Sequence, residues 1–261
     1  MKQKLLSVLP KDFPWADTII YLDSVDSTNT YAKALAQKGA PQGTCVVAGM
    51  QSGGRGRMGR SFSSPAGMGV YLSVILRPEC KPEDLMHLTC SVGVSMCDAV
   101  EKTAGIRPQI KWINDLVING KKLGGILTEL SVGKGGLVDY AIIGIGINCC
   151  QQQTDFPADL QTIATSLAMA GKDVQPAILA AAMLQALYTM DIAQKAETMH
   201  RYKADCLTLG QQVTVLRGEE TYCGKAINLD ADGGLIVEFA DGHTQTVSSG
   251  EVSVRGLYGY L

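Results

Sequence analysis

Three arginines within six residues are the side chains with the clearest chemical potential in this sequence. Arg55, Arg57 and Arg60 lie in segment 49–69, which also contains seven glycines. Guanidinium groups this close repel one another unless an anion lies between them, and glycine lets the backbone approach a ligand closely. The segment therefore predicts a site for a phosphate-bearing ligand. The alternative is a solvated surface loop with incidental positive charge.

A lysine inside an apolar run is the second candidate. Lys111 and Trp112 lie in a run that is typical of a strand, and Asn114 and Asp115 follow directly. A lysine in the interior of a sheet must be paired or must face a ligand, because an unpaired buried charge is costly. The alternative is a lysine on an edge strand whose amine reaches solvent.

Two further motifs carry polar groups or leave space for a ligand. Ser27, Thr28 and Asn29 precede a short helical pattern, so they either cap that helix or face a polar ligand. Gly144 and Gly146 are two residues apart in an apolar run, so they remove side chains from one face of a strand. We expect a flat or extended ligand on that face. The run does not match the dinucleotide-binding fingerprint.

The elements that must position these residues form an α+β pattern. Strands are predicted at 18–22, 45–48, 70–76, 110–113, 116–118 and 138–147, with a hairpin turn at 119–120. Helices are predicted through Tyr31 to a stop at Gly39, over 83–103, over 159–170, and from Pro176 onward. The strand at 138–147 is continuously apolar, which is typical of a central strand that is covered on both faces.

The pattern changes near residue 207. Short alternating strands are predicted at 212–216, 222–228, 235–239 and 244–247, and tight turns separate them. About fifty residues of this kind predict a small β-barrel. We therefore divide the chain into a larger domain, 1–206, and a small barrel, 207–261.

Composition narrows the class of protein. A formal net charge of −2 over 261 residues argues against a general nucleic-acid coat, which needs a basic face. The eight cysteines form no C-x-x-C pair and there are three histidines, so structural zinc is not expected. Free thiols suit a reducing compartment. With no secretory signal and no apolar run of about 18 residues, we expect a cytoplasmic protein without a membrane segment.

Taken in order, these motifs resemble the biotin protein ligases. The resemblance is carried by Ser27-Thr28-Asn29, Gly54-Arg55-Gly56-Arg57-Met58-Gly59-Arg60, Lys111-Trp112-Ile113-Asn114-Asp115, Gly144-Ile145-Gly146-Ile147-Asn148 and Gly250-Glu251-Val252-Ser253-Val254-Arg255. Three positions depart from the usual pattern: Ile113 replaces a proline, Met58 a basic residue and Phe62 a tryptophan.

The resemblance implies a fold and an activity. The fold would be a mixed-sheet catalytic domain of the class II synthetase and biotin ligase type, followed by an SH3-like barrel. Biotin and ATP would give biotinyl-5′-AMP and pyrophosphate. The biotinyl group would then pass to a lysine of a biotin carboxyl carrier protein. Mg²⁺ would arrive with ATP, held by phosphates and a carboxylate such as Asp115, without a dedicated protein cage.

The resemblance also assigns site residues. It places four around the ureido ring of biotin: Ser27, Thr28, Asn29 and Gln51. It folds a loop over biotin and the adenylate: Gly54, Arg55, Gly56 and Arg57. It lines the biotin trough with Gly144 and Gly146. It directs the remaining residues to the nucleotide: Arg57 and Arg60 to the phosphates, Phe62 and Asn148 to adenine, Lys111 to both the biotin carboxylate and the α-phosphate, and Arg255 to the nucleotide or the acceptor protein.

Two other functions fit the same residues less well. A lipoate or octanoate protein ligase would share the fold, but the polar set that includes Gln51 favours a ureido ring over an alkyl chain. In a non-enzymatic adaptor, the barrel would bind a partner and Lys111 would have no role. About twenty residues precede the first predicted strand, too few for a DNA-binding helix-turn-helix domain, so we expect no DNA binding. The sequence leaves a homodimer through a sheet edge open.

Overall fold

The computed structural model describes residues 2–217, 220–248 and 253–256. It contains two sheets. Seven strands form the larger sheet, in the spatial order β1-β2-β3-β7-β6-β5-β4: β1 (Ile19–Leu22), β2 (Cys45–Ala48), β3 (Gly69–Leu76), β4 (Gln109–Lys111), β5 (Asp115–Ile118), β6 (Lys121–Val132) and β7 (Val138–Asn148). β1 and β2 are parallel, whereas the other neighbours in this sheet are antiparallel.

The smaller sheet is antiparallel and contains five strands. Its spatial order is β11-β10-β9-β8-β12, formed by β8 (Gln212–Arg217), β9 (Glu220–Leu229), β10 (Leu235–Phe239), β11 (Thr244–Val247) and β12 (Ser253–Gly256). The α+β class, with a mixed sheet and a separate small antiparallel sheet, is confirmed. The four strands predicted after residue 207 are β8 to β11.

In the part of the chain that the structure describes, five α-helices cover the larger sheet: α1 (Lys2–Val8), α2 (Thr28–Gln37), α3 (Leu88–Ala104), α4 (Pro176–Thr189) and α5 (Lys195–Asp205). α2 packs on one face, where Ala32 and Ala36 contact Val46 and Ile142. The other four helices pack on the opposite face, around residues such as Ile143. No helix in the described ranges combines the length and the apolar character that a membrane crossing needs.

The central strand was predicted correctly. β7 is the fourth of seven strands, and consecutive side chains point to opposite faces. Ile142 therefore packs under α2 while Ile143 packs under the other helices, and both are fully buried. A strand that is covered on both faces must be apolar at nearly every position, which explains the continuous run.

The predicted hairpin turn is confirmed. Asn119 and Gly120 join β5 to β6, and both have positive φ angles, 50° and 73°. Asparagine and glycine adopt this conformation at lower cost than other residues do. Gly39 ends the helical segment of α2 with a φ of 86°, as expected of a residue just beyond a helix C-cap.

The predicted helix over 83–103 is wrong at its start. Pro82–Leu85 forms a separate 3₁₀ turn, and α3 begins at Leu88. The Asp84 carboxylate accepts a hydrogen bond from Lys81 N at 3.0 Å, which closes the short turn on itself. Acidic residues stabilise a 3₁₀ turn as well as an α-helix in this position, so the sequence did not separate the two.

The helix predicted over 159–170 is absent from the described chain. The segment forms turns and pairs with the edge of β6: Lys122 N donates to Ile163 O, and Thr165 N donates to Lys122 O, both at 2.8 Å. Leu167 N donates to Asn148 O at 3.2 Å. Local turn bonds such as Ala164 N to Leu160 O at 2.8 Å and Ala170 N to Ser166 O at 3.1 Å remain, but the bonds to the sheet prevent these turns from joining into one helix. Tertiary contacts therefore outweighed local propensity.

The strand predicted over 110–113 ends earlier than expected. β4 stops at Lys111, and residues 112–114 form a turn. Trp112 N does not join the ladder but donates to Thr208 Oγ1 at 2.9 Å. β4 is also an edge strand of the larger sheet, so Lys111 does not lie in the sheet interior.

Candidate active site

A cavity of about 570 Å³ lies on the α2 face of the larger sheet. Of the fifteen site residues predicted above, thirteen line it: Ser27, Thr28, Asn29, Gln51, Arg55, Gly56, Arg57, Arg60, Phe62, Lys111, Gly144, Gly146 and Asn148. Gly54 does not line it, and the side chain of Arg255 lies outside the described residues. The sequence motifs are up to 121 positions apart along the chain and are brought together by the sheet.

The strand register explains why distant motifs meet. Lys111 pairs with Asp115, Asp115 with Gly125, and Gly125 with Gly146. Residues paired across a sheet point to the same face, so these four form one row. The two glycines leave one end of the row without side chains. Lys111 and Asp115 lie at the other end, beside this stretch of bare backbone.

A hydrogen-bonded group of polar side chains forms one end of the cavity. Gln51 Oε1 accepts from Thr28 N at 2.8 Å, and Gln51 Nε2 donates to Ser64 Oγ at 2.9 Å. Ser73 Oγ lies 2.8 Å from Thr28 Oγ1. Ser27 caps α2 by accepting from Thr30 N at 3.5 Å, so the capping role weighed in the sequence is also present. This end offers both donors and acceptors in fixed positions.

Asn29 fills much of the space that Gly144 was expected to leave for a ligand. A Cβ added to Gly144 would overlap Asn29 Oδ1. Asn29 Oδ1 accepts from Ser73 Oγ at 2.6 Å, and Asn29 Nδ2 donates to Glu129 Oε2 at 2.9 Å. The glycine is therefore required by a buried asparagine and not only by a ligand.

Glu129 was not recognised from the sequence, yet it joins two parts of the cavity. Its Oε2 accepts from Asn29 Nδ2, and its Oε1 lies 3.4 Å from Arg55 Nη1. The pair is partly exposed, with 49% of the Arg55 side chain and 24% of the Glu129 side chain accessible. The carboxylate thus connects the polar end of the cavity to the arginine loop. Glu129 lies in β6, four residues after Gly125, and no spacing rule marked it.

The arginine loop folds against the sheet. A Cβ added to Gly54 would overlap Phe62 O, so glycine is required there although it does not line the cavity. Arg57 Nη1 donates to Asn114 Oδ1 at 3.2 Å. Burial lowers the pKa of Arg57, while the nearby Asp115 carboxylate opposes that shift. Arginine remains a cation under either influence, so the loop brings fixed positive charge to the row that ends at Lys111.

Lys111 lies on an edge strand, as the alternative interpretation held, and still lines the cavity half-buried. A second lysine, Lys122, also lines it and was not predicted as a site residue. Lys122 Nζ donates to Asp115 Oδ1 at 2.7 Å. Five described cationic side chains line the cavity with one described carboxylate: Arg55, Arg57, Arg60, Lys111 and Lys122 with Asp115. Such a surface attracts an anion of several charges.

The opposite end of the cavity is apolar. Phe62 lies over Gly146, where an added Cβ would overlap its ring. Segment 156–164 provides the outer wall through Phe156, Leu160 and Ile163. This wall was predicted as a helix without a role. It was missed because its position depends on the bonds to β6 described above.

Arg255 cannot be assigned a place. Its backbone pairs with Thr214 in the ladder between β12 and β8, but its side chain, like residues 249–252, lies outside what the structure describes. Its role stays a prediction.

Comparison with known proteins decides the family. The profile of the biotin/lipoate A/B protein ligase family matches residues 21–148, and that of the biotin protein ligase C-terminal domain matches residues 208–255. The bifunctional ligase/repressor BirA of Bacillus subtilis (strain 168) is 38% identical over 232 residues, which cover 86% of this chain and 70% of that protein. The chain belongs to the biotin protein ligase family.

Other biotin protein ligases agree with this assignment. The biotin–[acetyl-CoA-carboxylase] ligase of Mycobacterium tuberculosis is 30% identical over 235 residues, which cover 87% of this chain and 85% of that protein. The Aquifex aeolicus biotin protein ligase, solved in complex with biotin and ATP, superposes with a TM-score of 0.76 at 32% identity. The match covers 91% of this chain and 98% of that one. The chain is thus a ligase and not the adaptor considered above.

Proposed function

We propose that this ligase activates biotin with ATP and transfers it to a lysine of a biotin carboxyl carrier protein. In the first step, a biotin carboxylate oxygen attacks the α-phosphorus of ATP, and pyrophosphate leaves. In the second, the carrier amine attacks the carbonyl carbon of biotinyl-5′-AMP, loses a proton, and AMP leaves. The observation that carries the proposal is that one cavity combines a polar end, five cationic side chains and an apolar end.

The polar end suits the ureido ring of biotin. That ring carries one carbonyl acceptor and two N–H donors, so it needs both kinds of partner within a small volume. Ser27, Thr28 and Gln51 supply hydroxyl and amide groups there, and the bonds to Ser64 and Ser73 orient them. A lipoyl chain carries no such groups, and burying these polar side chains against it would leave them without partners.

The cationic side chains that line the cavity suit the reacting anions. A carboxylate and a triphosphate repel each other as they approach, and negative charge then builds on the α-phosphate. Lys111, Arg57 and Arg60 offset this repulsion from fixed positions, which is how preorganised charge lowers a barrier. Lys111 acts as a permanent cation and not as a base, because a neutral amine would lose the stabilisation.

Mg²⁺ is expected to arrive with ATP. Magnesium in such sites is held by phosphate oxygens together with one or two carboxylates. Asp115 is a suitable carboxylate in the row, although its Oδ1 accepts from Lys122. In the described ranges, no group of three or more His, Cys, Asp or Glu residues could hold a metal ion alone. The ion would neutralise phosphate charge, while the side chains of this chain position the reacting atoms.

Intact-mass measurement of a carrier domain tests the proposal. Incubation with the ligase, biotin and MgATP should add one biotinyl group, and replacing biotin with lipoate should add nothing. Lys111→Ala should slow labelling by about 100-fold or more, as expected for loss of one preorganised charge. Lys121→Ala, in the hairpin next to Lys122, is the matched control and should label at the normal rate. An unlabelled carrier, or full labelling by Lys111→Ala, would contradict the proposal.

A further inference from the structure

A single amide lies at the apolar end of the cavity. Asn148 is 4% exposed and lines the cavity with Phe62, Phe156, Leu160 and Ile163. Apolar walls with one polar group suit a flat heterocycle whose faces are apolar and whose edge carries hydrogen-bonding atoms. The direction in which the amide points therefore decides which edge can bind.

Two contacts fix that direction. Asn148 Nδ2 donates to Thr165 O at 3.0 Å. A backbone carbonyl only accepts, so the NH₂ end of Asn148 must face Thr165. Asn148 Oδ1 then accepts from Gln151 Nε2 at 3.0 Å. A rotation of the Asn148 amide by 180° would place an acceptor against Thr165 O, so that bond would be lost, and the bond with Gln151 would survive only if the Gln151 amide rotated as well.

Gln151 is held in an unfavourable position to make this contact. Its side chain is fully buried, and within the described parts of the chain its Oε1 has no hydrogen-bond partner. Its backbone carbonyl accepts from Ser166 Oγ at 2.6 Å, which anchors the residue. A buried carbonyl without a partner is costly and calls for an explanation. The bond from Gln151 to Asn148 supplies one.

We propose that Gln151 is a positioning residue that locks the Asn148 amide and thereby makes the ligase prefer ATP to GTP. The inference rests on the proposed function, in which the nucleobase occupies the apolar end. On its Watson–Crick edge, adenine presents an amino donor beside a ring-nitrogen acceptor, whereas guanine presents a carbonyl acceptor beside an N–H donor. Asn148 retains one N–H and one lone pair after its two protein bonds. An amide that is held in one orientation can pair with only one of these two arrangements of donor and acceptor. An amide that could rotate would pair with both.

The test compares ATP with GTP in biotin-dependent pyrophosphate exchange. For Gln151→Met, which keeps the length and removes the donor, the ratio of kcat/KM for ATP to that for GTP should fall by about tenfold. The KM for ATP should rise while the KM for biotin stays unchanged. Gln152→Met makes the same change at the exposed neighbouring residue and should keep the normal ratio. An unchanged ratio in Gln151→Met would overturn the inference.

Two further proteins separate a positioning role from a structural one. Gln151→Glu keeps the shape, and its carboxyl can donate to Asn148 Oδ1 while protonated but can only accept once ionised. The ratio should therefore be normal at low pH and fall as the carboxyl ionises, which keeps the test available even if Gln151→Met does not fold. In an Asn148→Ala background, Gln151→Met should change the ratio no further, because its effect passes through Asn148. If Gln151→Met lowered the ratio in the Asn148→Ala background as much as it does in the wild-type background, the inference would be wrong.

Failure of the inference differs from failure of the proposed function. A wild-type protein that exchanges ATP and GTP equally overturns the lock and leaves the ligase proposal intact. A wild-type protein with no biotin-dependent exchange with either nucleotide contradicts the proposed function itself.

Discussion

Asn29 occupies the volume that a side chain at Gly144 would need, although the two residues are 115 positions apart. Asn29 is 4% exposed and bonds Ser73, Leu127 and Glu129. Gly144 pairs with Ser73 on one side and Leu127 on the other. The bonded partners of Asn29 therefore lie on the strands that flank the glycine, and the asparagine bridges them above it.

Gly144→Ala should weaken biotin binding because the added methyl group displaces Asn29. The buried amide would lose at least one of its bonds, at a cost of about 1–3 kcal/mol. We expect the KM for biotin to rise about tenfold, with a smaller change in the KM for ATP, measured by pyrophosphate exchange. Gly135→Ala, in the turn between β6 and β7, is the control for the loss of a glycine, because an added Cβ there meets no atom within 4 Å. Unchanged biotin binding in Gly144→Ala would contradict the prediction, because it would show that Asn29 can move without weakening biotin binding.

Glu129→Gln should loosen the arginine loop. A glutamine can still accept from Asn29, but its NH₂ group would then face the Arg55 guanidinium and two donors would meet. Because the pair is partly exposed, the loss should be at most about 1 kcal/mol. Limited trypsin cleavage after Arg55 or Arg57 should therefore be up to about fivefold faster.

The control for this prediction is Asp139→Asn. It removes the carboxylate from a second arginine pair, Arg77 with Asp139 at 3.1 Å, which lies away from the loop. Loop cleavage should stay at the wild-type rate in that variant. Equal acceleration in both proteins would point to general destabilisation.

Two adjacent cysteines should differ in reactivity. Burial raises the pKa of Cys149 to about 12, whereas Cys150 is exposed. The thiolate is the reactive form, so at pH 8 only about one Cys149 in 10⁴ would be ionised. Iodoacetamide labelling with peptide mapping should find Cys150 modified and Cys149 protected until the protein unfolds. Raising the pH should speed Cys149 labelling up to the point of unfolding, and equal rates at pH 8 would contradict the assigned burial.

The sequence predicted the parts of the site that obey local rules. Alternation along β7 placed Gly144 and Gly146 on one face, and the glycine-rich spacing around Arg55 and Arg57 marked the loop. These signals depend on backbone periodicity and on the chemistry of single side chains, so they can be read without knowing the neighbours in space.

The parts that were missed depend on pairing between distant segments. Glu129 matters because Asn29 and Arg55 reach it, and nothing near it in sequence shows that. Segment 159–170 has a helical pattern but bonds to β6 and to Asn148 instead. The sequence left Lys111 either in the sheet interior or on an edge strand, and the order of the strands in the sheet decides for the edge strand β4. In each case, the position of the residue depends on contacts with segments that are distant in sequence.

Trp112 connects the smaller sheet to the strand that carries Lys111. Its Nε1 donates to Gly233 O at 2.8 Å, in the turn between β9 and β10. Gly233 has a φ of 85°, and a Cβ there would come within 2.7 Å of Cys90 Sγ. The turn therefore packs closely against α3. Asp230 Oδ1 holds the turn by accepting from Gly234 N at 2.8 Å.

Trp112→Phe should therefore lower stability and adenylation together. The buried carbonyl of Gly233 would lose its donor, at a cost of about 1–3 kcal/mol, and the residue next to Lys111 would lose its anchor. We expect kcat for pyrophosphate exchange to fall about tenfold or more, with the unfolding midpoint in urea also lowered. Trp15→Phe makes the same substitution in the core near α1 and should lower the midpoint without changing kcat. If both variants are less stable and kcat is unchanged in both, the turn between β9 and β10 supports the fold and not the position of Lys111.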